Sequence, residues 1–293
     1  MVFEIKIDQD EAEIVKYIGS ERVSVVPENI EGRSVTAIGP YTFSEHGKDL
    51  REVILPDTVR RIGRYAFYGC ANLQKIVLTD ALQDIAGGVF TGCRIWEIEV
   101  DLYRGQKCCL QDIVAENRFC LSVTLRYHTN GREETARLIF PEHYEEAVEN
   151  TPARIVMTEY HGSGGNYRQC IYNKEVDYKR YDEMFVYARA REEKETVFEL
   201  VFSRLLFPYQ LSEEAKERYE GYVRANVKEA AVFLIVREWE KGIFYLTESN
   251  LWTEEGLNAA IDFAAEKRKT EFVSFLMEEK HKRYKAKPKL FEW

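Results

Sequence analysis

The stretch IGRYAFYGCANLQKIVL begins at Ile62, and its pattern occurs three times. Upstream the chain reads IGPYTFSEHGKDLREVIL from Ile38, and downstream it reads IAGGVFTGCRIWEIEV from Ile85. Ile38, Ile62 and Ile85 align at spacings of 24 and 23, and Phe43, Phe67 and Phe90 align at the same spacings. Leu50 matches Leu73, while Val53 and Leu55 match Ile76 and Leu78. A fainter copy, VSVVPENIEGRSVTAIG, comes first, with Ser24 where the pattern asks for Val53. A fixed period in the twenties points to a solenoid, because one such coil cannot bury its apolar face alone and stacked coils can. REVIL and QKIVL alternate apolar and polar residues, so each reads as a short strand with one buried face. The expected product is a parallel strand ladder with columns of Ile and Phe inside. Phe67 should lie between Phe43 and Phe90. Phe43→Ala should be milder than Phe67→Ala, because a weaker coil covers Phe43.

The run IGRYAFYGCANLQKIVLTDALQDI resembles the BspA-like class of bacterial leucine-rich repeats, over residues 22–100. The resemblance implies a curved solenoid used for protein contacts. His46 stands where the later coils have Cys70 and Cys93, and Gly87-Gly88 with Trp96 mark the end of the stack. Cys70 and Cys93, one coil apart, read as stacked buried thiols, with a disulfide as the geometric alternative.

Bulk composition sets the outer limits. A chain of 293 residues exceeds one small core and implies two or three domains. Its 45% apolar and 31% charged residues are ordinary for a globular protein, and a net charge of −9 argues against broad nucleic-acid binding. The start, MVFEIKIDQDEAEIVKYIG, alternates apolar and charged residues instead of showing a signal peptide's apolar run, and no segment has the length to cross a bilayer. The expected setting is the cytoplasm, with no membrane contact. Six cysteines at 70, 93, 108, 109, 120 and 170 form no CxxC pair, and none of the five histidines lies in HExxH. No metal, cofactor or catalytic residue is therefore assigned.

Past Val100 the period is lost. GQKCCLQDIVAENR reads as a short helix burying Leu110, Ile113 and Val114. FCLSVTLRYHTNGREETARLIFP reads as a hairpin turning at Asn130-Gly131, EHYEEAVEN as a helix, and ARIVMTEY as a third strand. The loop YHGSGGNYRQC gathers Gly162, Gly164, Gly165, Tyr167 and Arg168. Backbone amides and a guanidinium in such a loop can cradle an anion, although the GK[ST] of a phosphate loop is absent. The alternative is a surface loop whose tyrosines anchor packing. From Asp182 the period is helical, and Ser212 has the position of an N-cap. KEAAVFLI overlays TEFVSFLM at an offset of 42. These helix pairs resemble ankyrin hairpins in plan, an unrelated four-helix domain being the alternative. The basic tail KHKRYKAKPKLFEW ends in Leu290, Phe291 and Trp293, three apolar groups expected to dock on the protein's own helices.

The sequence therefore predicts an α+β multidomain protein. Residues 1–104 form a BspA-like leucine-rich-repeat solenoid with an N-terminal hairpin cap, residues 105–193 a central α+β module, and residues 194–293 an all-α, ankyrin-like domain with a basic tail. The expected function is non-enzymatic: a scaffold of a bacterial cell that binds an unknown protein partner through exposed strand positions Arg51, Glu52, Gln74 and Lys75, and through the helical repeats. The alternative is a small anionic ligand or nucleotide held by the Gly162–Arg168 loop.

Overall fold

A computed structural model describes residues 2–129, 131–150 and 155–284, and for 145–160 the backbone alone. The chain divides into two compact units, Met1–Glu193 with Phe207–Gln210, and Lys194–Leu206 with Leu211–Trp293.

The first unit opens with an antiparallel hairpin of β1 (Val2–Asp8) and β2 (Glu11–Ile18). The coils then supply β3 (Val23–Val25), β4 (Asn29–Ile30), β5 (Arg33–Ile38), β6 (Glu52–Ile54), β7 (Arg61–Ile62), β8 (Lys75–Thr79), β9 (Asp84–Ile85) and β10 (Glu97–Leu102). One sheet runs β1-β2-β5-β7-β9, with β4 beside β5, and the other contains β3-β6-β8-β10. Every pairing from coil to coil is parallel. Alternation along each strand aims Val53, Ile76 and Ile98 inward, where all three are fully buried.

Two columns fill the space between the sheets. Ile14, Ile38, Ile62 and Ile85 lie in register, each beside the next. A file of rings runs beside them: Phe3 to Tyr17 at 5.8 Å, Tyr17 to Phe43 at 4.9 Å, Phe43 to Phe67 at 4.7 Å and Phe67 to Phe90 at 5.7 Å. The expected contacts of Phe67 are present. The expectation that Phe43 is the weaker member is corrected, because the hairpin supplies Tyr17 as its cover and Phe43 is as fully buried as Phe67. The thiols tie neighbouring coils. Cys70 donates to the Phe43 carbonyl at 3.6 Å and Cys93 to the Phe67 carbonyl at 3.1 Å, and no disulfide joins them. Burial pushes both thiols up to about 12.

At one turn position the coils solve a steric problem differently. Tyr41 and Tyr65 hold φ of 56° and 58°, a left-handed conformation that a bulky side chain adopts only under strain, and the third coil has Gly88 there at φ 73°. The Tyr65 ring lies over that glycine, so an added Cβ would come within 2.3 Å of it. Gly88→Ala is expected to cost about 1–2 kcal/mol, combining the left-handed backbone penalty with displacement of the ring. A urea melt of the variant checks this, and Tyr65→Ala in the same chain should relieve the steric part.

The ladder continues beyond residue 104. After α1 (Leu110–Glu116), which buries Leu110, Ile113 and Val114, β11 (Leu121–Thr129) pairs parallel to β10, and β12 (Arg132–Phe140) closes the sheet antiparallel to β11. Asn130 of the expected turn lies outside the described residues. The helix expected for EHYEEAVEN is corrected: β13 (Tyr144–Asn150) is a strand paired antiparallel with β14 (Ile155–His161). The unit is completed by α2 (Gly164–Arg168), a two-residue ribbon of β15 (Ile171–Tyr172) and β16 (Glu175–Val176), α3 (Tyr178–Glu183) and α4 (Phe185–Arg191).

The second unit is helical: α5 (Lys194–Leu206), α6 (Glu213–Ala225), α7 (Val227–Val236), α8 (Glu240–Glu248), α9 (Glu254–Glu266) and α10 (Thr270–Arg283). Ser212 caps α6 by accepting from the Ala215 amide at 3.2 Å, as its position predicts. The internal repeat has a different register from the expected 42. Glu238 and Arg268 both take positive φ, and Trp239 and Lys269 share φ −87° and ψ 73°, so α7–α8 and α9–α10 repeat 30 residues apart. Ala230 and Ala260 correspond in this register, as do Leu246 and Leu276, and all four are fully buried. No described helix is long and apolar enough to cross a membrane. The tail from Lys285, with Leu290, Phe291 and Trp293, lies outside the described residues.

Candidate interaction surface

The side chains that alternate outward from the second sheet form charged rows. Register places Glu52, Lys75, Glu97 and Ser122 side by side, with Asp101 opposite Arg126 on adjacent strands. Lys75 Nζ lies 2.5 Å from Glu99, 3.3 Å from Glu97 and 3.9 Å from Glu52. Arg126 pairs with Glu99 and, at 3.5 Å, with Asp101, while His128 Nε2 meets Asp101 at 2.8 Å under the stacked ring of Tyr103. Burial alone pushes the Glu99 carboxyl up, but Lys75 and Arg126 outweigh it and hold it at about 2. The folded-state value lies below the ordinary 4.5, so this contribution is complete above pH 4.5 and is lost as pH falls toward 2. Glu99→Gln should lower stability at pH 7 by about 1 kcal/mol, a figure reduced for solvent screening, and should leave it unchanged near pH 2. Urea melts at the two pH values measure the difference.

The amino-terminal edge of the same ladder is of another kind. The Arg22 carbonyl accepts from the amides of Arg51 and Glu52, the Arg51 carbonyl from those of Gln74 and Lys75, and the Gln74 carbonyl from those of Trp96 and Glu97. Arg22, Arg51, Gln74 and Trp96 are thus stacked one coil apart. Arg22 and Arg51 are exposed, and Trp96 is 52% exposed despite its size. Among the described residues neither arginine meets a carboxylate.

A hollow of about 560 Å³ reaches Ile95, which precedes Trp96 in the chain, and is bounded by the last turn of the stack (90–95), the end of α1 with the loop after it (116–119), and residues 142–144. Phe119 and Tyr144 expose 43% and 48% of their surface there, and the Arg94 guanidinium lies 5.9 Å from the Phe119 ring centre. The walls are held by side-chain ties to the backbone. Glu116 accepts from the amides of Gly88 (2.7 Å) and Phe90 (3.3 Å), and the Asn117 side chain spans the Ile95 carbonyl (2.6 Å) and the Phe119 amide (3.0 Å).

The glycine loop takes its place behind these walls. Arg168 donates to the carbonyls of Pro141 (2.6 Å), Asn117 (2.8 Å), Phe119 (3.1 Å) and Val114 (3.3 Å). Burial pulls its pKa down to about 10, so it stays charged at neutral pH. Gly164 is required by crowding, since a Cβ would stand 2.2 Å from the Pro141 carbonyl and 2.4 Å from that of Glu142. Tyr167 is fully buried against Tyr181, 4.8 Å between ring centres. Gly165 faces the His143 ring, and Gly162 makes the turn into α2 at φ 74°. The guanidinium faces backbone carbonyls, and the Ser163 amide and hydroxyl already donate to the Glu192 carboxylate, so the geometric support for an external anion at Gly162–Arg168 is removed.

The structure divides the four predicted partner-binding residues into two pairs. Glu52 and Lys75 lie on the sheet face, already engaged with each other and with Glu97 and Glu99. Arg51 and Gln74 lie on the edge, continuous with Trp96. Arg94, Phe119 and Tyr144 were not singled out by sequence. Only the break in period after Trp96 hinted that the surface changes character there.

Comparison with known proteins agrees with the ladder. Residues 36–114 match the BspA type leucine rich repeat region, in six copies. The repeat resemblance read from the sequence holds over this stretch. No curated protein matches the chain significantly. Among solved structures, a leucine rich cell surface protein from Faecalibacterium prausnitzii A2-165 is 22% identical over 36% of this chain and 29% of its own length, with a TM-score of 0.25. The T. pallidum Leucine Rich Repeat protein is 20% identical over 33% of this chain and 68% of its own, with a TM-score of 0.22. The chain spans less than a third of the first of these proteins.

Proposed function

We propose that this protein is a non-catalytic interaction protein that engages a partner protein along the amino-terminal edge of its strand ladder. The observation that carries this reading is the row Arg22, Arg51, Gln74 and Trp96. It sets two unmatched guanidinium groups and an exposed indole in line on a rigid scaffold. Arginine and tryptophan are the residues most enriched where binding energy concentrates, and a stiff backbone limits the entropy lost on association. The neighbouring face, by contrast, neutralises most of its own charge. The buried thiols of Cys70, Cys108, Cys109 and Cys170, none in a disulfide, suit the reducing bacterial cytoplasm expected from the sequence. We read the hairpins α7–α8 and α9–α10 as an ankyrin-like pair. A second surface lies where α5 meets α7 and Ala259 of α9, in a mainly apolar hollow of about 380 Å³ lined by Val236, which is 62% exposed.

The test is crosslinking of the full chain in its native cell, alongside Arg51→Glu and Trp96→Ala variants. A protein adduct formed by the native chain should be lost in both. Equal recovery from native and variant chains would place the contact elsewhere and remove this reading.

A further inference from the structure

We propose that the partner presents an extended acidic segment with one large apolar side chain, the apolar group entering the hollow that reaches Ile95 and the carboxylates following along Arg51 and Arg22. This inference deepens the reading above and rests on it.

Charge is the first argument. The chain as a whole is acidic, at −9, yet this edge concentrates exposed guanidinium groups. Arg22 and Arg51 have no carboxylate partner among the described residues, and Arg94 is engaged only by the Phe119 ring. The nearby acids are already committed. Glu116 is bound to two backbone amides, and Glu52 and Glu97 face Lys75. Glu116 and Glu142 are the carboxylates that line the hollow, set against the guanidinium groups of Arg94 and Arg118. Guanidinium groups hold carboxylates by two parallel hydrogen bonds, so the edge selects acidic side chains and the order in which they come.

The hollow supplies the second argument. Its 560 Å³ accommodates an aromatic or large aliphatic side chain with its backbone, and Phe119 and Tyr144 present rings to it. The ties of Asn117 and Arg168 set the walls before any ligand arrives, so little ordering remains for binding to impose. Spacing then relates the two parts. Adjacent strands lie about 4.8 Å apart, and an extended chain advances about 3.3 Å per residue. Arg51 is two coils from Trp96 and Arg22 three, roughly 10 and 14 Å, so the carboxylates fall about three and four residues beyond the anchor. A nucleic-acid strand is disfavoured, because two or three guanidinium groups on a chain of net charge −9 cannot neutralise its dense run of phosphates.

Fluorescence anisotropy on the full chain provides the test, with labelled synthetic peptides of the form Phe-Ala-Ala-Glu-Glu inside a neutral flank. Saturable binding is expected, weakening at least tenfold on Arg51→Glu or Arg94→Glu and on raising salt from 50 to 500 mM. The peptide with Lys in place of Glu should not bind. Phe119→Ser should abolish the preference for Phe over Ala at the anchor. All three substituted residues are exposed, and unchanged thermal unfolding would confirm that the variants fold. Failure to saturate at millimolar peptide, affinity indifferent to the arginines, or tighter binding of a single-stranded RNA oligonucleotide would each overturn the proposal. If the peptide fails while crosslinking in the cell still depends on Arg51 and Trp96, only the acidic partner is lost. If the crosslink is indifferent as well, the edge itself is ruled out.

Discussion

Phe67→Ala should destabilise the first unit by about 3–5 kcal/mol, the usual range for emptying a buried aromatic site. The ring is fully buried between Phe43 at 4.7 Å and Phe90 at 5.7 Å, so its removal strips contacts from both neighbours at once. Phe43→Ala should be as severe, because Tyr17 covers the other side of that ring at 4.9 Å. Phe90→Ala should be the mildest of the three, since Phe90 ends the file and is 7% exposed. In a stack where each coil touches its neighbours only, the damage stays near the vacancy. Hydrogen exchange should therefore place the lost protection in the coils flanking each substitution, and urea melts should rank the variants in this order. Equal, small effects for all three would mean that the column does not carry the core.

The second large effect is expected at Arg168. Arg168→Gln strands several backbone carbonyls that converge from Val114, Asn117, Phe119 and Pro141 on one half-buried guanidinium. Each unsatisfied buried acceptor costs about 1–3 kcal/mol, so a total on the order of 3–5 kcal/mol is expected once some have recovered water. Arg168→Lys should restore only part of this, because one ammonium cannot span carbonyls from separate segments as the planar fork does. Thermal melts give the loss. Exchange of the amides in residues 114–119 and 141–144 should rise together, because the guanidinium joins those two segments. A change confined to α2 would show that the joint lies elsewhere.

The two cases differ in how well sequence foretold them. The ring column was legible because each coil repeats the core of the next, so the spacing of Phe43, Phe67 and Phe90 carries the contact within it. The part played by Tyr17 was not legible, since the hairpin lies outside the period. Arg168 was visible as a cation in a glycine loop, but its partners are carbonyls, which every residue has and no sequence pattern marks. EHYEEAVEN has the glutamates of a helix, yet pairing with β14 makes it a strand. In the helical unit the 30-residue register was hidden because its left-handed turns fall on Glu238 and Arg268, where a glycine would have marked a helix end. Of the candidate surface, Arg51 and Gln74 could be found by counting coils. Phe119, in the loop after α1, and Tyr144, at the start of β13, come to the hollow from outside the repeat, and only folding brings them to its walls.

The thiol ties between coils give the solenoid a set of internal clocks. Cys70 and Cys93 donate to carbonyls of the preceding coil and are pushed up to about 12, so neither is a thiolate while its coil is closed. A thiol-specific reagent can reach the fully buried Cys70 only in the instant after a coil opens, and its rate of labelling then reads the frequency of that opening. Cys120, exposed on the surface, is open to the reagent without any such opening. Cys93, one coil further on, is partly exposed on the wall of the hollow, so its labelling reports on that end of the stack. Comparing them would show whether the ladder unzips from the end that bears the candidate surface or opens as a whole.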